Sequence, residues 1–221
     1  MTDTVFLFDV DNTLLDNDAV IADIRRHLVE KIGPECELRY WQIFERLRTE
    51  LGYADYLGAL QRYRIENPRE TYVLQLSLFL LHYPFSSRLY PGALDAVHAL
   101  RARGRTAILS DGDVVFQPRK IERSGLWEAV EGEVLIFIHK EQMLDEVERR
   151  YPARHYVMVD DKLRILSAMK TFWGERLTTV FVRQGHYAAD PAQVDPYPPA
   201  DIAIEHIGDL VHQPFWQAWQ A

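Results

Sequence analysis

Two carboxylates one residue apart, in Asp9-Val10-Asp11-Asn12-Thr13, follow directly on the apolar run Val5-Phe6-Leu7-Phe8. On an extended segment such residues point to the same side, so both can reach one ion or one phosphate. One carboxylate can attack phosphorus while the other handles the proton of the leaving group. A lone Asp-x-Asp is more often a solvated turn or a helix cap, so other groups must carry the argument with it. Ser110-Asp111-Gly112-Asp113 supplies a hydroxyl and the N–H groups of a glycine turn leading into a helical pattern, which together form an anion site. Asp-Gly is also a common plain turn. Lys140 stands right after an apolar run at the start of a helical pattern, where it would neutralise a bound phosphate. Most lysines are solvated surface residues instead. Lys120, between Arg119 and Ile121 in mid-helix, reads as structural. Val159-Asp160-Asp161-Lys162 ends another apolar run with two adjacent acids, and hard cations such as Mg²⁺ take one or two carboxylates plus water and substrate phosphate. Asp161 reads equally as part of an acidic first helical turn.

The elements that must position these groups follow from patterning. Short continuous apolar runs at Val5–Phe8, Thr106–Leu109, Tyr156–Val159 and Thr179–Val182, with a weaker one at Val134–Phe137, read as strands buried on both faces. Helical patterns lie between the later runs, at Ala93–Arg103, Val114–Arg123, Glu141–Arg150 and Leu163–Thr171. This alternation predicts an α/β fold, a parallel sheet with helices on both faces. In such sheets ligands bind beyond the carboxyl ends of the strands, where all four chemical groups fall. From Asn17 to Leu81 only helical patterns appear, punctuated by Gly33-Pro34, Gly52 and Pro68, which predicts an all-helical insertion. The division expected is a core of residues 1–15 and 90–221 with a helical cap of residues 16–89. The cap aromatics Tyr40, Trp41, Tyr53 and Tyr56 recur at helical intervals and are expected mostly in the core. Arg183-Gln184-Gly185-His186-Tyr187 follows the fifth strand on the same rim and reads as a structural loop. The tail Phe215–Trp219 reads as core packing.

Composition narrows the partners. A net charge of −8, spread along the 221 residues, disfavours nucleic acid, which needs clustered Lys and Arg. It leaves room for a small anionic substrate in a locally cationic pocket. A single cysteine, Cys36, excludes an intrachain disulfide and suits a reducing compartment. The most apolar stretch, around Leu74–Leu81, is too short to span a bilayer, and the N-terminus lacks the pattern of a signal peptide. A cytoplasmic monomer or homodimer, with no membrane or nucleic-acid partner, is the expectation.

Taken in order, Phe8-Asp9-Val10-Asp11-Asn12-Thr13-Leu14-Leu15, Ser110, Lys140 and Asp160-Asp161 resemble the four motifs of the haloacid dehalogenase-like hydrolases. The insertion after the first motif resembles the subgroup with a helical cap, and Asp11 resembles its phosphatase branch. The resemblance covers nearly the whole chain and implies a Rossmann-like core. It further implies that Asp9 attacks phosphorus to form an aspartyl phosphate. Asp11 would protonate the leaving alcohol and later activate water. Ser110, Asp111, Gly112 and Lys140 would hold the phosphoryl group. Asp9, the main-chain carbonyl of Asp11, Asp160 and Asp161 would bind Mg²⁺. The fourth motif departs from the commoner Gly-Asp pattern by reading Asp-Asp-Lys. Dehalogenases of this kind lack an acid at the position of Asp11, so its presence implies a phosphate ester of a small metabolite as substrate. A phosphotransferase or phosphomutase on the same scaffold, and a non-catalytic receiver-type module, are the alternatives.

Overall fold

The computed structural model describes residues 2–212; the aromatic tail at 215–219 lies outside them. Six strands form one parallel sheet: β1 (Thr2–Phe8), β2 (Arg105–Asp111), β3 (Val134–Phe137), β4 (Ala153–Asp160), β5 (Leu177–Val182) and β6 (Ile202–Ile204). Their order is β3-β2-β1-β4-β5-β6, a Rossmann-like arrangement. The chain winds from β1 to one edge and then returns past β1 to build the other, so the direction reverses between β1 and β4.

The apolar runs of β1, β2, β4 and β5 are buried on both faces, as expected, whereas the weaker run Val134–Phe137 of β3 is only half-buried at the sheet edge. Along β1, Phe6 and Phe8 join one core while Val5 and Leu7 join the other. The first face is covered by α5 (Ala93–Arg101), α6 (Phe116–Ser124) and α7 (Leu126–Ala129). The second is covered by α8 (Leu144–Arg150) and α9 (Leu163–Trp173). Two helix starts lie later than the sequence patterns predict. Asp113 accepts hydrogen bonds from the N–H groups of Val115 and Phe116, at 2.8 and 2.7 Å, so α6 begins at Phe116 instead of Val114. A short 3₁₀ turn, Lys140–Gln142, precedes α8.

Between β1 and α5 come α1 (Asn17–Ile32), α2 (Pro34–Leu51), α3 (Tyr56–Glu66) and α4 (Val73–His82). Asp16 caps α1 by accepting from Ala19 N–H at 2.8 Å, and Asp55 caps α3 by accepting from Gly58 N–H at 2.7 Å. Val20, Ile24 and Leu28, four apart, give α1 a buried stripe. The outgoing and returning strands of chain run side by side: Asp16 N–H donates to Arg88 C=O at 2.8 Å, and Tyr90 N–H to Leu14 C=O at 2.9 Å. Tyr56 packs on Phe116 of α6 with ring centroids 4.8 Å apart, so these helices share the first core. Tyr40, Trp41 and Tyr56 are buried as expected, whereas Tyr53 is only half-buried. No helix among the described residues is long and apolar enough to cross a membrane.

The re-entry to the sheet is tight at Gly92, whose φ is +78° and where an added Cβ would stand 2.8 Å from Gly208 Cα. Backbone atoms cannot yield as a flexible side chain would. Gly92→Ala is therefore expected to cost about 1–3 kcal/mol of folding stability, read from urea unfolding. An unchanged midpoint and slope would contradict this packing.

Candidate active site

The site forms where β1 and β4 end. Phe8 pairs with Val159 in the ladder, so the next residues, Asp9 and Asp160, emerge as neighbours. Asp9 N–H still donates to Val159 C=O at 3.0 Å, which holds the first carboxylate at the sheet edge. Asp9, Asp160 and Asp161 are all buried, and each offers a carboxylate oxygen within 4.8 Å of the others. Lys140 reaches in from beyond β3. Its Nζ lies 2.5 Å from Asp9 Oδ1 and 2.7 Å from Asp160 Oδ2, and it donates to Leu109 C=O at 3.2 Å. Ser110 Oγ stands 3.5 Å from Asp9 Oδ1, and Thr13 Oγ1 stands 3.4 Å from Asp9 Oδ2. Four separated stretches of sequence thus meet around the Asp9 carboxylate.

The electrostatics follow from this crowding. Burial opposes the charge on Asp9, but the Lys140 and Lys162 charges and the hydrogen bond from Lys140 hold its carboxyl below the usual range. Burial likewise opposes the Lys140 ammonium, yet Asp160, Asp9 and Asp111 push its pKa upward. Burial raises Asp161 well above the ordinary carboxylate value, and the Asp160 and Asp9 charges add to this against the pull of Lys162. Both Asp161 oxygens are buried without a hydrogen-bond partner, with Lys162 Nζ 3.9 Å from Oδ1. Orphaned hard oxygens beside two further carboxylates fit a divalent cation, which would supply the missing positive charge. Asp160 Oδ1 also accepts from Lys162 N–H at 2.8 Å.

Asp11 lies beside this cluster with its carboxylate 26% exposed. Its Oδ1 is 2.5 Å from Lys120 Nζ, and its Oδ2 is 3.4 Å from Gln117 Nε2. Lys120, expected to be structural, has a fully buried side chain whose ammonium is turned onto Asp11. Two residues expected to bind phosphate are otherwise engaged. Gly112 N–H donates to Phe137 C=O at 3.0 Å, because the β2–β3 ladder runs on one step past the strand. Asp111 Oδ1 accepts from Lys140 N–H at 2.7 Å, so its side chain shapes the Lys140 turn.

The rim loop behind β5 does more than connect. Gln184 Nε2 donates to Thr13 C=O at 3.2 Å. Gly185, at φ +71°, leaves no room for a Cβ, which would fall 2.4 Å from Asn12 Cβ. Asn12 itself has a positive φ of 62° and accepts at Oδ1 from the N–H groups of Asn17 and Asp18. His186 Nδ1 lies 2.6 Å from Asp18 Oδ1, and Arg48 of α2 donates to the Tyr187 hydroxyl. The loop therefore braces the turn that carries Asp9 and Asp11. Above the carboxylates a cavity of about 410 Å³ is lined by Arg48, Tyr53, Tyr56, Lys162, Arg164 and Tyr187 among others, a size suited to a small metabolite. Nothing in the residue types singled out Gln117 or Lys162; only the three-residue spacing of Gln117 and Lys120 on one helix hinted at a shared face.

A parallel sheet of this order, with acids, a hydroxyl and a lysine gathered at its carboxyl edge, defines an α/β protein of Rossmann-like build with a polar site at the strand ends. The chain belongs to the haloacid dehalogenase-like hydrolases, whose family model matches residues 4–172. It is similar to a haloacid dehalogenase-like hydrolase from Burkholderia xenovorans LB400, at 68% identity over 96% of this chain and 99% of that one, with a TM-score of 0.92. At the level of fold it is similar to the L-2-haloacid dehalogenase from Xanthobacter autotrophicus (19% identity, 96% and 98% coverage, TM-score 0.64). The HAD-hydrolase YfnB from Bacillus subtilis, in a magnesium-bound form, is similar to the same degree (19%, 96% and 98%, TM-score 0.63). No curated protein matches the chain.

Burial first, with help from Asp9 and Glu141 and against Lys140, raises the Asp111 carboxyl from 3.8 to about 6. The neutral form thus belongs to the fold, and its stabilisation is complete below about pH 4 and lost as pH rises through about 6. Asp111→Asn keeps the acceptor for Lys140 N–H without the charge. In chelator-containing buffer it should gain about 1–2 kcal/mol on the wild type between pH 4 and 7, allowing for solvent screening. Parallel unfolding curves across that range would refute the shift.

Proposed function

We propose that this hydrolase is a Mg²⁺-dependent phosphomonoesterase acting on a small phosphorylated metabolite through an aspartyl phosphate on Asp9. The observation that carries the reading is the buried set Asp9, Asp160 and Asp161, with both Asp161 oxygens unpartnered beside the Lys140 ammonium. Asp9, Asp160, Asp161 and the main-chain carbonyl of Asp11 would hold Mg²⁺, which when bound offsets the negative charge of the transferring phosphoryl group. Asp9, ionised beside Lys140, attacks phosphorus; Lys140 and Ser110 steady the phosphoryl oxygens. Asp11 gives its proton to the departing alcohol and then takes one from the water that clears the intermediate. Residues 16–89 act as a cap over a core of 1–15 and 90–221, and the cationic lining from Arg48, Lys162 and Arg164 suits an anionic substrate.

Dehalogenation is the competing reading, since a structural neighbour is an L-2-haloacid dehalogenase. A halide departs without a proton, so Asp11 would have no task in that reaction. Phosphoryl transfer to a sugar or other acceptor would require the cap to exclude water; product analysis with added acceptor alcohols separates it from hydrolysis.

Purified protein should release phosphate from p-nitrophenyl phosphate only with Mg²⁺, and release no chloride from 2-chloropropionate. Asp9→Asn should lower kcat by about a thousandfold or more. Chloride release without phosphate release would reverse the assignment. Independently of activity, Mg²⁺ at about a hundred times its Kd should stabilise the chelator-treated protein by about 2.7 kcal/mol in thermal unfolding. Asp161→Asn should lose most of that shift, and an equal shift in this variant would remove Asp161 from the metal site.

A further inference from the structure

We propose that Lys120 is a positioning residue, which with Gln117 clamps the Asp11 carboxyl in the pose that serves the leaving oxygen; this rests on the phosphohydrolase reading. Both residues lie on α6, three apart, and so share the face turned toward the end of β1. Lys120 Nζ is 2.5 Å from Asp11 Oδ1 and 3.0 Å from Asn17 Oδ1. Gln117 Nε2 is 3.4 Å from Asp11 Oδ2 and 3.0 Å from Ser110 Oγ. Each oxygen of Asp11 is thereby held by a different donor, and the plane of the carboxyl is set. Gln117 ties that plane to Ser110, whose hydroxyl in turn faces Asp9.

The energetics argue against a purely structural role. The Lys120 side chain is wholly buried, and its ammonium lies 5.6 Å from the Phe116 ring centroid besides its contacts to Asp11 and Asn17. Desolvating a cation costs several kcal/mol, and a buried ion pair is often no more stable than apolar residues of the same volume. Methionine or leucine would fill this space without that cost. Asp11 is by contrast partly exposed, and Lys120 and Gln117 are the donors that hold its carboxyl away from solvent. An error of about 1 Å in a reacting group can lose about a hundredfold in rate.

The step that depends on this pose balances as follows. An Asp9 carboxylate oxygen forms a bond to phosphorus while the ester P–O bond breaks. The electron pair stays on the ester oxygen, which takes the Asp11 proton and departs as a neutral alcohol. Water then attacks the aspartyl phosphate and gives its proton back to Asp11, and phosphate leaves from Asp9. A poor leaving group needs the proton most, so loss of the pose must fall hardest on the less acidic alcohol.

The test compares kcat/KM for phenyl phosphate and p-nitrophenyl phosphate, which differ in leaving-group acidity but little in size. Lys120→Met should lose about a hundredfold on phenyl phosphate and under about tenfold on p-nitrophenyl phosphate, with a melting temperature unchanged or raised. Asp11→Asn should show the same bias, and Lys120→Met added to it should change nothing further. Lys120→Arg should restore part of the rate. Gln117→Leu, which removes only a neutral donor, should repeat the bias more weakly and decides the matter if Lys120→Met does not fold. Equal losses on the two esters, or losses that add to those of Asp11→Asn, would overturn the clamp alone. A wild type inactive on both esters would overturn the phosphohydrolase reading and the clamp with it.

Discussion

Like charges forced together at the end of two neighbouring strands are the constraint around which this protein is arranged. Asp9 and Asp160 cannot move apart, because β1 and β4 are locked in register by the central ladder of the sheet. Adjacent strands lie about 4.8 Å apart, so their first residues beyond the ladder are obliged to face each other. Lys140 answers part of this charge from the turn that follows a third strand, and Asp161 adds to it again. The balance is left short of positive charge in a buried place, which is the condition under which a hard cation is held well.

Around that core of charge, the fold spends its irregular segments on one turn. The Asp9–Thr13 turn is held from below by the ladder, from the side by Gln184 and Gly185, and from above by Asn12 on the start of α1. The same rim segment touches the helical insertion through Asp18 and Arg48. Positions of the insertion and of the carboxylates are therefore mechanically linked. Loops so braced carry reactive groups more reliably than free ones, since the side chains they present inherit the rigidity of the sheet.

Much of this was legible in one dimension. Apolar runs ending in acids identified the strands and their functional ends, because a strand buried on both faces has no polar alternation and any carboxylate at its end must be at an edge. The break in alternation after the first strand marked α1–α4. Helix starts were less legible: Asp113 shifts α6 to Phe116 by capping two N–H groups that periodicity cannot see. Gly112 was misread for a related reason, since whether its N–H is free depends on a carbonyl in β3, 25 residues further along the chain.

The sequence by itself determined the α/β class, the helical insertion and the order of acids, hydroxyl and lysine, because these rest on local periodicity and on residue type. Only the tertiary structure decided which lysine answers which carboxylate. Lys140, after an apolar run, and Lys120, in mid-helix, carry nothing in their spacing that says which acid each one meets. They are assigned to Asp9 with Asp160, and to Asp11, by the direction in which β3 and α6 approach the sheet edge. That direction comes from packing over more than a hundred residues of separation, and no spacing rule encodes it.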